Sequence, residues 1–291
     1  MNMRTAIVAS LALLSVIGGG CPTVRKAPTP PVAPQAQAPT EAAAIRAERA
    51  VAGDSTSAAS GCAFTYAYPV IEGEGQVIAS LNKEIRIAFG LESTSPTRAV
   101  RTPAEIGDAY VNGCREELAQ MRAELGDESV ENMSYISETN YEVTLNRRGL
   151  LSLRINTYEY AGGAHGNPSM ATLNLDLRTG KQLLLGDVVK SESLRALASW
   201  VRQEYLNAYE DALYDEVKEE FSRFIRHEDQ TTDATLANDG SFLLMDDALV
   251  FHANVYELAP YAAGQLTVEA PYQKIHDYLD REGPIGRLVK E

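Results

Sequence analysis

The 291-residue chain carries 26 Lys and Arg against 40 Asp and Glu, a net charge of −14 with neutral histidines. That balance disfavours nucleic acid and anionic lipid, whose sign the chain shares, and suits a basic partner or simple solubility. With 45% hydrophobic residues and only three cysteines, the chain can build a real core with few covalent ties.

Met1 to Gly20 holds one charge, Arg4, followed by the apolar run Ala6 to Ile17 and then Gly18-Gly19-Gly20. The run is too short to span a bilayer and has the proportions of a secretory signal, so 1–20 reads as a signal peptide. Small residues directly before Cys21 resemble the cleavage and lipidation site of bacterial lipoproteins, which implies an exported chain anchored to a membrane by lipid on Cys21 alone. Simple secretion is the other outcome of such a leader. Losing Arg4 leaves 25 basic against 40 acidic residues, a net of −15.

Residues 21–60 combine the lipidation candidate with a Pro/Ala-rich stretch that has almost no large apolar side chains, so it cannot offset its own ordering entropy. It reads as a tether of ~30–40 Å if flexible, with a short helix conceivable from Glu41 to Ala52. About 230 residues remain after Ser60, enough for one large or two small α+β domains. Cys62 and Cys114 are then the only other cysteines, and in an oxidising compartment a leftover pair most often bonds to itself.

Ala63 to Ile71 reads as a strand. Val77, Ile78, Leu81, Ile85 and Phe89 recur at helical spacing, giving an amphipathic helix from Gln76 to Leu91. A second helix runs from Pro103, a residue suited to a first turn, to Leu125, with Ile106, Tyr110, Cys114, Leu118 and Met121 on one face. These elements form an expected small α+β domain at 61–130, stapled near its start by Cys62–Cys114.

A larger α+β domain is expected at 131–291, in which antiparallel strands pack with amphipathic helices. Glu131 to Leu145 reads as a strand, Arg147-Arg148-Gly149 as a turn. Leu151, Leu153 and Ile155 then alternate with Ser152, Arg154 and Asn156, and Leu173, Leu175 and Leu177 alternate with Thr172, Asn174 and Asp176. Period-two alternation on both sides reads as a half-buried antiparallel pair. Between them, Ala161 to Met170 makes a connection much longer than a two-residue hairpin turn, with three glycines able to take positive φ or admit a partner. Tyr160, Gly162, Gly163, Ala164, His165, Gly166 and Asn167 are therefore candidate binding residues, although the same loop would also serve merely by packing over the sheet.

Arg178 to Lys181 reads as a turn, and Ser191 as the N-cap of a long helix that drifts in phase near Asp211 and so breaks or kinks there. Its carboxylates Glu216, Glu219 and Glu220 read as a solvated face. Thr231 to Gly240 is a polar loop, Phe242–Met245 and Leu249–Val255 a hairpin around Asp246-Asp247, and Leu266–Ala270 a further strand before a short helix from Tyr272 to Leu279. Proline and glycine in Tyr256 to Gly264 interrupt pairing and present Tyr256, Tyr261 and Gly264, a second candidate contact surface, unless both rings close the core.

The strings YEYAGGAHGN, NLDLRTGKQLLLGDVV and VYELAPYAAG, in that order, resemble the extracytoplasmic domain shared by lysozyme-sensing anti-sigma factors of the RsiV type and the non-catalytic part of PdaC-type peptidoglycan deacetylases. The resemblance covers roughly Glu131 to Leu279, and Phe64 to Leu125 is similar to the smaller domain that precedes it in that family. It implies an α+β fold outside the cytoplasm and, in one branch, binding of lysozyme. The 291 residues show neither a sigma-binding segment with a membrane span before the tether nor a metal-dependent deacetylase domain after it. The expectation is a stand-alone, non-catalytic envelope lipoprotein that binds a basic envelope protein such as a lysozyme-like muramidase. A structural or peptidoglycan-contacting module is the alternative, and a peptidoglycan-modifying hydrolase is the remaining one, since 40 acidic residues always contain candidate carboxylate pairs. His165, His227, His252 and His276 lack paired metal spacings, no nucleophile elbow or phosphate loop occurs, and no cofactor or metal is expected; His165 with Ser169 is the one nucleophile–base pair the spacing suggests.

Overall fold

The computed structural model describes residues 41–53, 61–95, 99–131, 133–226 and 242–289. The leader, Cys21, most of the tether and the Thr231–Gly240 loop lie outside them. A six-stranded sheet takes β1 (Ile45–Gly53), β2 (Gly61–Ile71), β3 (Ser134–Arg147), β4 (Leu150–Ala161), β5 (Asn167–Asp176) and β6 (Lys181–Gln182) in sequence order. Neighbours are antiparallel except β2 and β3, which run parallel. A parallel pair needs a crossover, and α1 (Gln76–Ala88), α2 (Pro103–Leu125) and the single turn α3 (Asp127–Val130) supply it. Because β2 lies directly beside β3, one sheet runs across the 130/131 boundary expected between two domains.

The first helices form for reasons visible in their residues. Ile78, Leu81 and Ile85 of α1 are buried on one stripe. At α2, Thr102 and Glu105 make a reciprocal capping box, with Pro103 in the first turn where its missing N–H costs nothing. Both helices bury their apolar stripes against one face of the sheet, in a core of Phe64, Tyr66, Ile71, Leu81, Leu151, Leu153, Leu173 and Leu175. Gly107 lets α2 approach closely, since a Cβ there would lie 2.7 Å from the Phe64 ring. Cys62 of β2 and Cys114 of α2 are joined in a disulfide with Cα atoms 6.1 Å apart.

Three elements of secondary structure differ from the sequence reading. Ile45–Gly53 is an edge strand instead of a helix or tether, registered on β2 from Ile45↔Ile71 to Gly53↔Ala63. Its approach is fixed by Asn146, whose carboxamide accepts from the Ala43 N–H at 2.8 Å and donates to the Ala43 carbonyl at 2.9 Å. Burial pushes the Tyr68 hydroxyl up to about 12, and that hydroxyl donates to Glu48 of β1, holding the carboxyl below its ordinary range. Secondly, Ser191 is no N-cap: Ser191–Ser193 is a 3₁₀ turn, and α4 (Leu194–Tyr209) starts after it without a side-chain cap. Thirdly, the terminal helix shrinks to one turn, α6 (Tyr272–Ile275).

The long helical region does break near Asp211, into α4 and α5 (Asp215–Ile225), and Glu216, Glu219 and Glu220 are exposed. These helices pack on a second, antiparallel sheet of β7 (Phe242–Leu244), β8 (Ala248–Ala253) and β9 (Leu266–Pro271). This small sheet covers the other face of β4 and β5, so Ser152, Thr172, Asn174 and Asp176, which the alternation assigns to solvent, are buried. Ser152, Asn174 and Asp176 stay polar because they tie the layers together. Asn174 donates to the Phe242 carbonyl at 2.9 Å, while its Oδ1 accepts from Ser152 Oγ at 2.7 Å and from the Leu244 N–H at 3.2 Å. Asp176 meets Arg287 of α7 (Gly286–Val289) at 2.9 Å, with both side chains largely enclosed.

Candidate functional site

The β4–β5 hairpin is longer and tighter than its sequence suggests. Pairing continues to Glu159↔Asn167, so the connection is Gly162 to Gly166 instead of Ala161 to Met170. Gly162 and Gly163 take φ of +82° and +93°, the left-handed turn that lets so short a loop close. Gly166 has a different reason: it is buried under Tyr158, and a Cβ there would come within 2.2 Å of that ring. Tyr160 donates its hydroxyl to the Gly163 carbonyl at 3.1 Å. Ala164 and Asn167 are exposed, as is His165.

The second stretch meets this loop directly. The His165 and Tyr261 rings stack with centroids 3.7 Å apart and planes 16° from parallel, and the Tyr261 hydroxyl donates to the Gly166 carbonyl at 2.8 Å. His165 Nδ1 lies 3.0 Å from that same carbonyl and so must carry the proton, which turns Nε2 toward the Tyr256 hydroxyl at 3.4 Å. Tyr256 sits at φ +68° with its ring tilted over Tyr261 at 5.6 Å, and it is 54% exposed, outside the core. Gly264, at φ +71°, ends the short 3₁₀ turn Tyr261–Ala263. Stretches separated by about 90 residues thus form one exposed aromatic tip.

Two contributors were not in the candidate set. Asn254, just past β8, holds the tip to the hairpin by accepting from the Met170 N–H at 2.7 Å and donating to the Met170 carbonyl at 3.1 Å. It acts as one more rung of strand, a role that a lone asparagine after an apolar run does not announce. Tyr158 is the other, and only its contact with Gly166 reveals it.

The His165 ring nitrogens face a backbone carbonyl and a phenol. The Ser169 hydroxyl is 2.5 Å from Thr157 Oγ1, bonded along the hairpin, so the suggested nucleophile–base pair is not assembled. Among the described residues no cluster of three or more His, Cys, Asp or Glu could hold a metal ion. A cleft of about 580 Å³ lies at the opposite end of the small sheet, lined by residues including Asp246, Asp247, Tyr272 and Arg281, and it shares no residue with the tip.

Comparison with known proteins gives two family matches. Residues 56–168 match the family described as deacetylase PdaC, and residues 187–273 match a protein family of unknown function, DUF3298. No curated protein matches the chain significantly. A crystal structure of a DUF3298 family member from Bacteroides fragilis shares the fold, with a TM-score of 0.62 at 24% identity over 86% of this chain and 100% of that one. A DUF3298 family protein from Pseudomonas aeruginosa aligns with a TM-score of 0.48 at 15% identity over 81% of this chain and 95% of that one. The two family matches lie in that order along the chain, on an α+β fold shared with a DUF3298 family structure.

Proposed function

We propose that this protein is a non-catalytic lipoprotein of the cell envelope that binds a basic envelope protein, with a lysozyme-like muramidase as the first candidate, through the tip formed by the Gly162–Gly166 loop and the Tyr256–Gly264 segment. The observation that carries the proposal is the tip itself: an exposed aromatic surface, built from two distant stretches, whose histidine nitrogens face a backbone carbonyl and a phenol. The net charge of −15 after loss of the leader favours a cationic partner, and complementary charge acts chiefly on the association rate. The rival reading is a peptidoglycan-contacting module, for which an exposed tyrosine ring would also serve.

The test is titration with lysozyme at low and at physiological salt. Binding is expected to weaken as salt screens charges beyond about 8–10 Å. Tyr261→Ala, which removes the stack and the Gly166 bond, and Gly163→Val, which forces a β-branched residue into a positive φ where its Cβ would otherwise meet nothing, should each weaken binding about tenfold while the fold survives. Absence of binding at roughly tens of micromolar protein, even at low salt, would end the muramidase reading. For the anchor, native protein should partition with membranes into detergent and Cys21→Ala should release or misprocess it; a mature wild-type chain with an unmodified N-terminus would contradict lipidation.

A further inference from the structure

We infer that the tip is an arginine-anchoring surface: a guanidinium of the basic partner lies over the exposed ring of Tyr256, beside His165, with Glu257 as its neighbouring carboxylate. The inference rests on the proposed reading of the protein as a binder of a basic partner and names the group that the tip recognises.

Three observations carry it. The first is backbone conformation. Tyr256 adopts φ +68°, a region that costs a bulky residue about 1–3 kcal/mol. The residue is 54% exposed, and the turn alone would form more easily with glycine or asparagine. An aromatic kept at such a position, with its ring outward, has a use for the ring.

The second observation is how the ring is supported. His165 and Tyr261 form a stacked pair, Tyr256 leans on that pair at 5.6 Å, and its hydroxyl reaches His165 Nε2 at 3.4 Å. The ring is therefore held by its neighbours while the residue stays 54% exposed. An ordered aromatic face attracts a planar cation without first paying the entropy of being fixed.

The third is charge. Residues 158–167 and 254–265 contain Glu159 and Glu257 and no lysine or arginine, so the tip supplies no cation of its own. Glu257 is exposed next to Tyr256, and its carboxylate is oriented by the Asn254 N–H at 2.8 Å and the Asn254 amide at 3.3 Å. Each oxygen keeps lone-pair capacity for a further donor. Guanidinium fits better than ammonium here because it is planar, weakly hydrated and able to lie on a ring while donating sideways to a carboxylate. The same chain stacks Arg195 and Arg202 on Phe224, with Cζ 4.3 and 3.8 Å from the ring centroid.

The experiment titrates the full chain in detergent with three probes: native lysozyme, lysozyme with its arginines blocked by phenylglyoxal, and lysozyme with its lysines acetylated. Arginine blocking should weaken binding about 10- to 30-fold, and lysine acetylation by less, mainly through a slower, salt-sensitive association. Tyr256→Asn keeps a residue that tolerates positive φ and removes the ring; it should match the loss seen on arginine blocking without lowering the melting temperature. Tyr256→Phe keeps the ring face and should bind within about threefold of wild type. Equal losses on arginine and lysine blocking, or wild-type binding by Tyr256→Asn, would overturn the anchor while leaving the binding function standing. A peptidoglycan oligosaccharide that binds the wild type and not Tyr256→Asn would reassign the ring to sugar. Failure of native lysozyme to bind at all would remove the underlying reading, and the anchor with it.

Discussion

Asn174→Leu should lower the stability of the folded chain by about 3–5 kcal/mol, although leucine nearly matches asparagine in size. The carboxamide is 2% exposed and serves as donor to Phe242 and acceptor from Ser152 and Leu244, all within the seam between the large sheet and β7. Leucine leaves the Phe242 carbonyl and the Ser152 hydroxyl buried without that partner, and each such group costs about 1–3 kcal/mol. Ser152→Ala should cost less, about 1 kcal/mol, because the Leu244 N–H keeps Asn174 Oδ1 when it loses Ser152 Oγ at 3.1 Å. Chemical denaturation of the two variants gives both numbers. A loss below about 1 kcal/mol for Asn174→Leu would mean that apolar packing alone sets the two sheets against each other.

That seam also marks the limit of what the sequence discloses. The alternation around Leu151–Ile155 and Leu173–Leu177 identifies β4 and β5 correctly, because period-two burial is a local property. It assigns Ser152 and Asn174 to water because a pattern of hydrophobicity cannot distinguish a polar residue facing solvent from one facing the edge of another sheet. β1 escapes for a related reason. Its Arg46, Glu48 and Arg49 suit an exposed edge, and its apolar residues are mostly alanines, so nothing separates it from the Ala-rich stretch before it until Asn146 and β2 are in place. The helices are more legible: α2 carries its own start signal in Thr102, Pro103 and Glu105, and the phase slip near Asp211 foretells the break between α4 and α5.

The tip divides in the same manner. Glycines at 162, 163 and 264 are readable as positions of positive φ, and Tyr256 and Tyr261 as rings beside a proline and a glycine. That His165 would stack on Tyr261 depends on two sheets meeting at one end, a tertiary event with no local trace. The length of the loop is misjudged because Asn167, Pro168 and Ser169 look like turn residues, whereas pairing with Glu159, Tyr158 and Thr157 makes them strand. Tertiary hydrogen bonding overrides their weak intrinsic preference.

Loss of the disulfide should have an effect as large as loss of Asn174, and it reaches toward the tip. Cys62 and Cys114 close a loop with a sequence separation of 52, for which chain entropy alone gives about 4 kcal/mol. In a folded region of about 230 residues that corresponds to a fall in melting temperature of ~8–16 °C. The helix itself should survive, since its capping box and the close approach at Gly107 do not involve sulfur. The clamp at the start of β2 should loosen. Cys62 is registered against Tyr135 of β3, and Tyr135 against Ala161, the last residue of β4 before the glycine loop. The disulfide therefore stands two strands, roughly 10 Å, from the base of the tip. The Cys62→Ala/Cys114→Ala double variant and wild type under reductant should melt at the same lowered temperature, and adding reductant to the variant should change nothing. Hydrogen exchange should rise first at the start of β2 and at the 161 end of β4, ahead of the leucine-rich centre of the sheet. A melting temperature that moves by less than about 3 °C on reduction would show that packing of α2 on Phe64 already holds this end of the sheet, and that the sulfur bridge adds little to the positioning of the tip.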